Sequence, residues 1–116
     1  GCKYSQEHRY EEGYYDCSSL VQRLYQEVGI SLPAIASTQG EFMVTHGLEV
    51  TEGELEPGDL IFYSYEQNGQ FRNISHVAIY VGNGRMIHAA NSRRGVVNDP
   101  FNPSNIGLYG RPSRLQ

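Results

Sequence analysis

Apolar residues recur at helical spacing between residues 16 and 28, and after Pro57 the chain breaks into short runs that alternate like strands. That order, one helix and then several strands, is the strongest constraint on the fold, because such a helix must bury its stripe against the sheet that follows. Leu20, Val21, Leu24, Tyr25 and Val28 form the stripe, with Gln22, Arg23, Gln26 and Glu27 turned to water. Asp16 as N-cap and Gly29 as the stop predict a helix over 17–28. A second, short helix is predicted from Thr38 to His46, with Phe42 and Met43 on its apolar side and Gly40 weakening it. Leu60 to Tyr63, His76 to Val81, Arg85 to Ala90 and Val96-Val97 are predicted strands, with turns at Pro57-Gly58 and Asn68-Gly69. The expected class is α+β, a helix against a small antiparallel sheet.

The 116 residues suffice for one domain with its own core and are too few for two. No apolar run approaches the roughly 20 residues that span a bilayer. A net charge of −4, a pI near 5.5 and no basic cluster denser than Arg93-Arg94 argue against nucleic acid as the main partner. Two cysteines, Cys2 and Cys17, are too few for a disulfide framework, and pairing them would silence Cys17, so Cys2 is expected to pack. Gly1-Cys2-Lys3-Tyr4 carries neither an initiating Met nor a charged-then-apolar leader. Residues 1–116 are therefore expected to be a single domain excised from a longer protein.

A thiol at the first turn of a helix sits against partial positive charge and unpaired amides, which bias it toward the nucleophilic thiolate. Cys17 is the candidate nucleophile, and His76 and His88 supply a base and a group to orient it. Strand side chains alternate faces, so a plain two-residue loop at Asn83-Gly84 would put the two histidines on opposite faces. A three-residue loop or a bulge between Gly82 and Gly84 restores the shared face; a loop of Val81-Gly82-Asn83 would set the histidines directly opposite each other. Such a departure is expected, because the glycines flanking Asn83 tolerate positive dihedrals.

Four blocks, Tyr15-Asp16-Cys17-Ser18-Ser19-Leu20-Val21, Leu55 to Phe62, Ser75 to Gly82 and Met86-Ile87-His88-Ala89, together resemble the NlpC-type family of cell-wall cysteine peptidases. Order and spacing match from Tyr4 almost to the C-terminus, where Gly110-Arg111 to Arg114 is similar to the family's closing strand. The resemblance implies a papain-like α+β fold, the cysteine-bearing helix packed on a small antiparallel barrel-like sheet. It implies a secreted or wall-associated thiol endopeptidase acting on stem peptides of bacterial peptidoglycan, at the γ-D-glutamyl bond to diaminopimelate or lysine. It further implies Cys17 as nucleophile, His76 as base, His88 as the third polar residue, and Tyr4 as the tyrosine beside the nucleophile. Ser19 stands where the family usually has Gly, and the family's aromatic, glycine-rich lead-in is represented by Tyr4 alone, without the helix that normally precedes it. The chain is expected to act as a monomer, with no cofactor or metal.

The neighbouring residues have plainer roles to weigh. Asp16 is first a helix cap, although a carboxylate beside the nucleophile also suits a free amine on the substrate. Ser18 and Ser19 either line the substrate cleft or satisfy first-turn amides. The Cys17 amide and the Tyr4 hydroxyl are candidate oxyanion donors. His8 and His46 are expected to be bystanders, and Tyr63, Tyr65 and Tyr80 to divide between core and cleft wall. Competing functions are an amidase or acyltransferase on the same scaffold, and a non-catalytic wall-peptide binding module with an incidental thiol. A zinc site from Cys17, His76, His88 and Cys2 is the weakest, because no ligands stand at close metal-binding spacing.

Overall fold

The computed structural model describes residues 17–65, 67–91 and 95–115, without the side chains of Cys17, Ala90, Asn91 and Leu115. The first helix, α1, runs over Cys17–Glu27. It stops where expected: Gly29 adopts a φ of +86°, and the Ile30 amide donates back to the Tyr25 carbonyl at 2.9 Å. The stripe it buries is narrower than its periodicity predicts. Leu20 and Val21 are buried and Tyr25 is half-buried, whereas Leu24 is 41% and Val28 57% exposed. A helix lying on a sheet makes about one contact per turn, and here the line runs through Ser18, Val21 and Tyr25, leaving Leu24 and Val28 on its flank. The Tyr25 hydroxyl donates to the Gly58 carbonyl, tying the helix to the turn before the sheet. Gln22, assigned to water by the pattern, is half-buried and donates its amide to the Leu32 carbonyl at 3.1 Å.

The second helix, α2, spans Ala36–Thr45, two residues earlier at its start than predicted. Gly40, which weakens the helix by propensity, lets it approach the sheet. A Cβ there would stand 2.6 Å from Ile74 Cδ1 and 3.6 Å from Phe62 Cδ1. Met43 is fully buried and Phe42 packs against the same core.

Six strands follow: β1 (Glu49–Val50), β2 (Leu60–Tyr63), β3 (His76–Gly82), β4 (Arg85–Asn91), β5 (Gly95–Pro100) and β6 (Ile106–Gly110). They form one antiparallel sheet in the order β1-β6-β2-β3-β4-β5. Alternation divides it cleanly. Leu60, Phe62, Val77, Ile79, Ala89 and Leu108 join the helices in the main core, while Ile61, Tyr63, Ala78, Met86 and Tyr109 form a second apolar cluster. The Pro57-Gly58 turn has its expected geometry, with Gly58 at φ +97° and the Asp59 amide donating to Glu56 at 3.0 Å. Asp59 is buried and holds Arg111 by two parallel bonds of 2.9 Å, clamping the start of β2 to the residue that follows β6. The closing strand lies earlier than expected. β6 ends at Gly110, and Pro112–Leu115 is a 3₁₀ turn, since proline has no N–H to offer a ladder. Among the described residues no helix is long and apolar enough to cross a membrane.

Candidate active site

The β3–β4 hairpin decides whether the histidines can meet. Ile79 pairs with Ile87 and Tyr80 with Met86, but Gly82 pairs with Arg85, so Val81 is one residue extra. The loop itself is the two-residue Asn83-Gly84, with φ of 54° and 70°, and Gly82 at +89° absorbs the bulge. The bulge puts even-numbered residues of both strands on one face, as the alternation argument requires. The histidines are offset by a diagonal step rather than directly opposite.

His76 Nε2 lies 2.8 Å from His88 Nδ1, with the rings edge to face at 5.0 Å between centroids and 78° between planes. His88 is buried and His76 half-buried. Burial, and then the neighbouring His88, push His76 down from 6.5 to about 4, so its ring is neutral at neutral pH. On the other side of His88, Nε2 stands 2.9 Å from Asp99 Oδ2 on β5. Asp99 escaped the reading of the sequence, which assigned that region only as the strand Val96-Val97. The signal was parity: His88 pairs with Val97, and Asp99 is two residues further on the same face.

Tyrosines frame the pair. Tyr63 pairs with His76 across β2 and β3, is fully buried, and donates its hydroxyl to the Asn102 carbonyl at 2.8 Å. Burial pushes it up to about 12, which keeps it a neutral phenol. Tyr65 stacks on Tyr63 at 5.7 Å, lies 6.3 Å from His76, and is 51% exposed. Tyr63 therefore belongs to the core and Tyr65 to the surface, while Tyr80 packs against Phe101 at 5.9 Å.

Cys17 is the first residue of α1, and α1 packs on β3 and β4, the two strands that carry the histidines. Ser18 and Ser19 are both buried, 4% exposed, and the Ser18 carbonyl accepts from the buried amide of Gln39 at 3.0 Å. His46 is exposed and stacked on Phe42 at 4.0 Å. Cys2, Tyr4, His8 and Asp16 lie outside the described residues. Among the described residues no group of three His, Cys, Asp or Glu side chains is disposed to hold a metal ion.

The NlpC/P60 family matches residues 3–106. A gamma-D-glutamyl-L-lysine dipeptidyl-peptidase of Bacillus cereus is 34% identical over 101 residues, covering 86% of this chain and 28% of that protein. The chain thus spans well under a third of this curated relative. The solved structure of NlpC1 from Trichomonas vaginalis superposes with a TM-score of 0.80 at 30% identity, covering 96% of this chain and 39% of that one. RipD from Mycobacterium tuberculosis, a non-catalytic NlpC/p60 domain protein adapted to peptidoglycan binding, superposes at 0.67 with 26% identity over 84% of this chain and 63% of that one.

Proposed function

The chain belongs to the NlpC/P60 family, and on that premise we propose that it is a cysteine endopeptidase of peptidoglycan stem peptides. One observation carries this reading: His76 and His88 are in hydrogen-bond contact at 2.8 Å, a base already paired with the group that orients it. His76, neutral and with Nε2 engaged by His88, has Nδ1 left to take the Cys17 proton. The helix start favours the resulting thiolate. The sulfur attacks the amide carbonyl, its electron pair forming the new C–S bond. The Cys17 backbone amide and the Tyr4 hydroxyl would meet the oxyanion. Collapse expels the amine, which takes its proton from His76, and His76 then draws a proton from the water that opens the thioester. His88 holds the plane of the His76 ring. Burial of Ser18 and Ser19 favours support of the first turn over contact with substrate, and the Asp16 carboxylate is the group we assign to a substrate amine.

The bond we assign is the γ-D-glutamyl link to lysine, the one in the name of the Bacillus cereus relative, or to diaminopimelate, as the family resemblance implies. We assign it to the secreted or wall-associated compartment, and as a monomer, by the same family resemblance. Digestion of purified muropeptides of defined composition, read by mass, tests both bond and mechanism. Wild type should open that one bond and Cys17→Ala none, with the fold unchanged. Cleavage at the sugar–peptide amide instead would make it an amidase. No cleavage, together with slow alkylation of Cys17 by iodoacetamide at neutral pH, would make it a binding module in the manner described for RipD.

A further inference from the structure

We propose that Asp99 is a positioning residue that fixes the tautomers of both histidines and so aims the lone pair of His76 at the thiol. The inference rests on the hydrolase reading above and adds to it a residue on β5. The argument is one of donors and acceptors. A carboxylate can only accept, so the 2.9 Å contact from Asp99 Oδ2 requires the hydrogen of His88 on Nε2. Where the His88 ring carries that single hydrogen, its Nδ1 is bare and can only accept. The 2.8 Å contact from His76 Nε2 therefore requires the hydrogen of His76 on Nε2, and the lone pair falls on Nδ1. Without Asp99, either direction of the His76–His88 bond is possible. The reversed one puts a hydrogen on Nδ1 of His76 and leaves it unable to accept from a thiol.

The sheet holds this relay rigidly. His88 pairs with Val97, which sets Asp99 on the same face one diagonal step along β5, and Met86 pairs with Asp99 directly. The His88 and Asp99 side chains are only 10% and 20% exposed, so water competes little for the bond. Three consecutive strands thus contribute His76, His88 and Asp99 in order.

Tautomers are read from long-range proton–nitrogen correlation spectra of the imidazoles of the nitrogen-15-labelled chain, assigned with His76→Gln and His88→Gln. In wild type both rings should carry the hydrogen on Nε2. In Asp99→Ala, His88 should populate the Nδ1–H form, and kcat on wall peptides should fall about tenfold or more with KM within about twofold. A wild-type His88 protonated at Nδ1 would overturn the proposal without any variant, which covers the case of an Asp99→Ala protein that does not fold. A folded Asp99→Ala protein with unchanged tautomers or unchanged kcat would overturn it too. The spectra need no substrate. A chain that shows the expected tautomers but cleaves no wall peptide would defeat the proposed function and leave the tautomer assignment standing.

Discussion

His76 and His88 share one face of the sheet because β3 carries Val81 as an extra residue before the two-residue turn. Gly82 makes room for it at φ +89°, and a Cβ there would also press on Pro57 Cγ at 3.3 Å. Gly82→Ala is therefore expected to lower stability by about 1–2 kcal/mol, seen as an earlier denaturant midpoint. Asn83→Gly, at a φ of 54° that glycine adopts freely, should change the midpoint little. Equal midpoints for Gly82→Ala and wild type would mean that the bulge does not depend on its glycine.

The two histidines should be unequal in catalysis. His76 handles the proton and His88 acts only through it, so His76→Ala should lose about a thousandfold in kcat/KM and His88→Ala only about ten- to a hundredfold. His88→Asn, which keeps a polar partner for Nε2 of His76, should recover part of the loss. Steady-state hydrolysis of a defined muropeptide measures all three. A His88→Ala enzyme as inactive as His76→Ala would promote His88 to a direct chemical role.

Much of this was legible in the chain. The α1 stripe and its Gly29 stop, the Pro57-Gly58 turn and the parity condition on the hairpin all rest on local rules that act within a few residues, and local rules survive folding. What was not legible depends on partners distant in sequence. Gly40 weakens a helix by propensity, yet its lack of a side chain is what α2 needs against Ile74 and Phe62. Leu24 and Val28 fit the stripe, but the width of the contact is set by the sheet beneath. Asp99 could be tied to His88 only with the β4–β5 register in hand, because an acidic residue at a strand end carries no signal by itself.

Asp59 has two duties that a substitution would expose together. Its carboxylate accepts two bonds from Arg111 at 2.9 Å and one from the Glu56 amide at 2.8 Å, at 2% exposure. Asp59→Ala removes the buried partner of a cation and frees the turn before β2, so a loss of about 3 kcal/mol is expected in thermal or denaturant unfolding. Asp59→Asn, which still accepts at one oxygen, should lose less. A midpoint unchanged in Asp59→Ala would show that the clamp contributes nothing net.

The lowered His76 sets two pH limits with the same sign. Its ring faces His88 on β4, Tyr63 at the end of β2 and Tyr65 just beyond it, and burial with His88 holds it at about 4 in the folded chain against 6.5 as the ordinary value. For catalysis the base form must persist, so the acid limb of kcat/KM should fall near pH 4 to 5 instead of near 6.5. For stability, the unfolded chain binds a proton on this ring between pH 6.5 and about 4 that the folded chain refuses. The contribution is therefore fully present above 6.5 and is lost as pH falls through that window, by about 1–2 kcal/mol at pH 5 after allowing for the half-buried position. His76→Gln cannot take up that proton, so its denaturant midpoint should drop less than wild type between pH 7 and pH 5. Parallel losses in the two proteins, or an activity limb centred near 6.5, would place the ring in a more solvated setting than its burial between β2 and β4 implies.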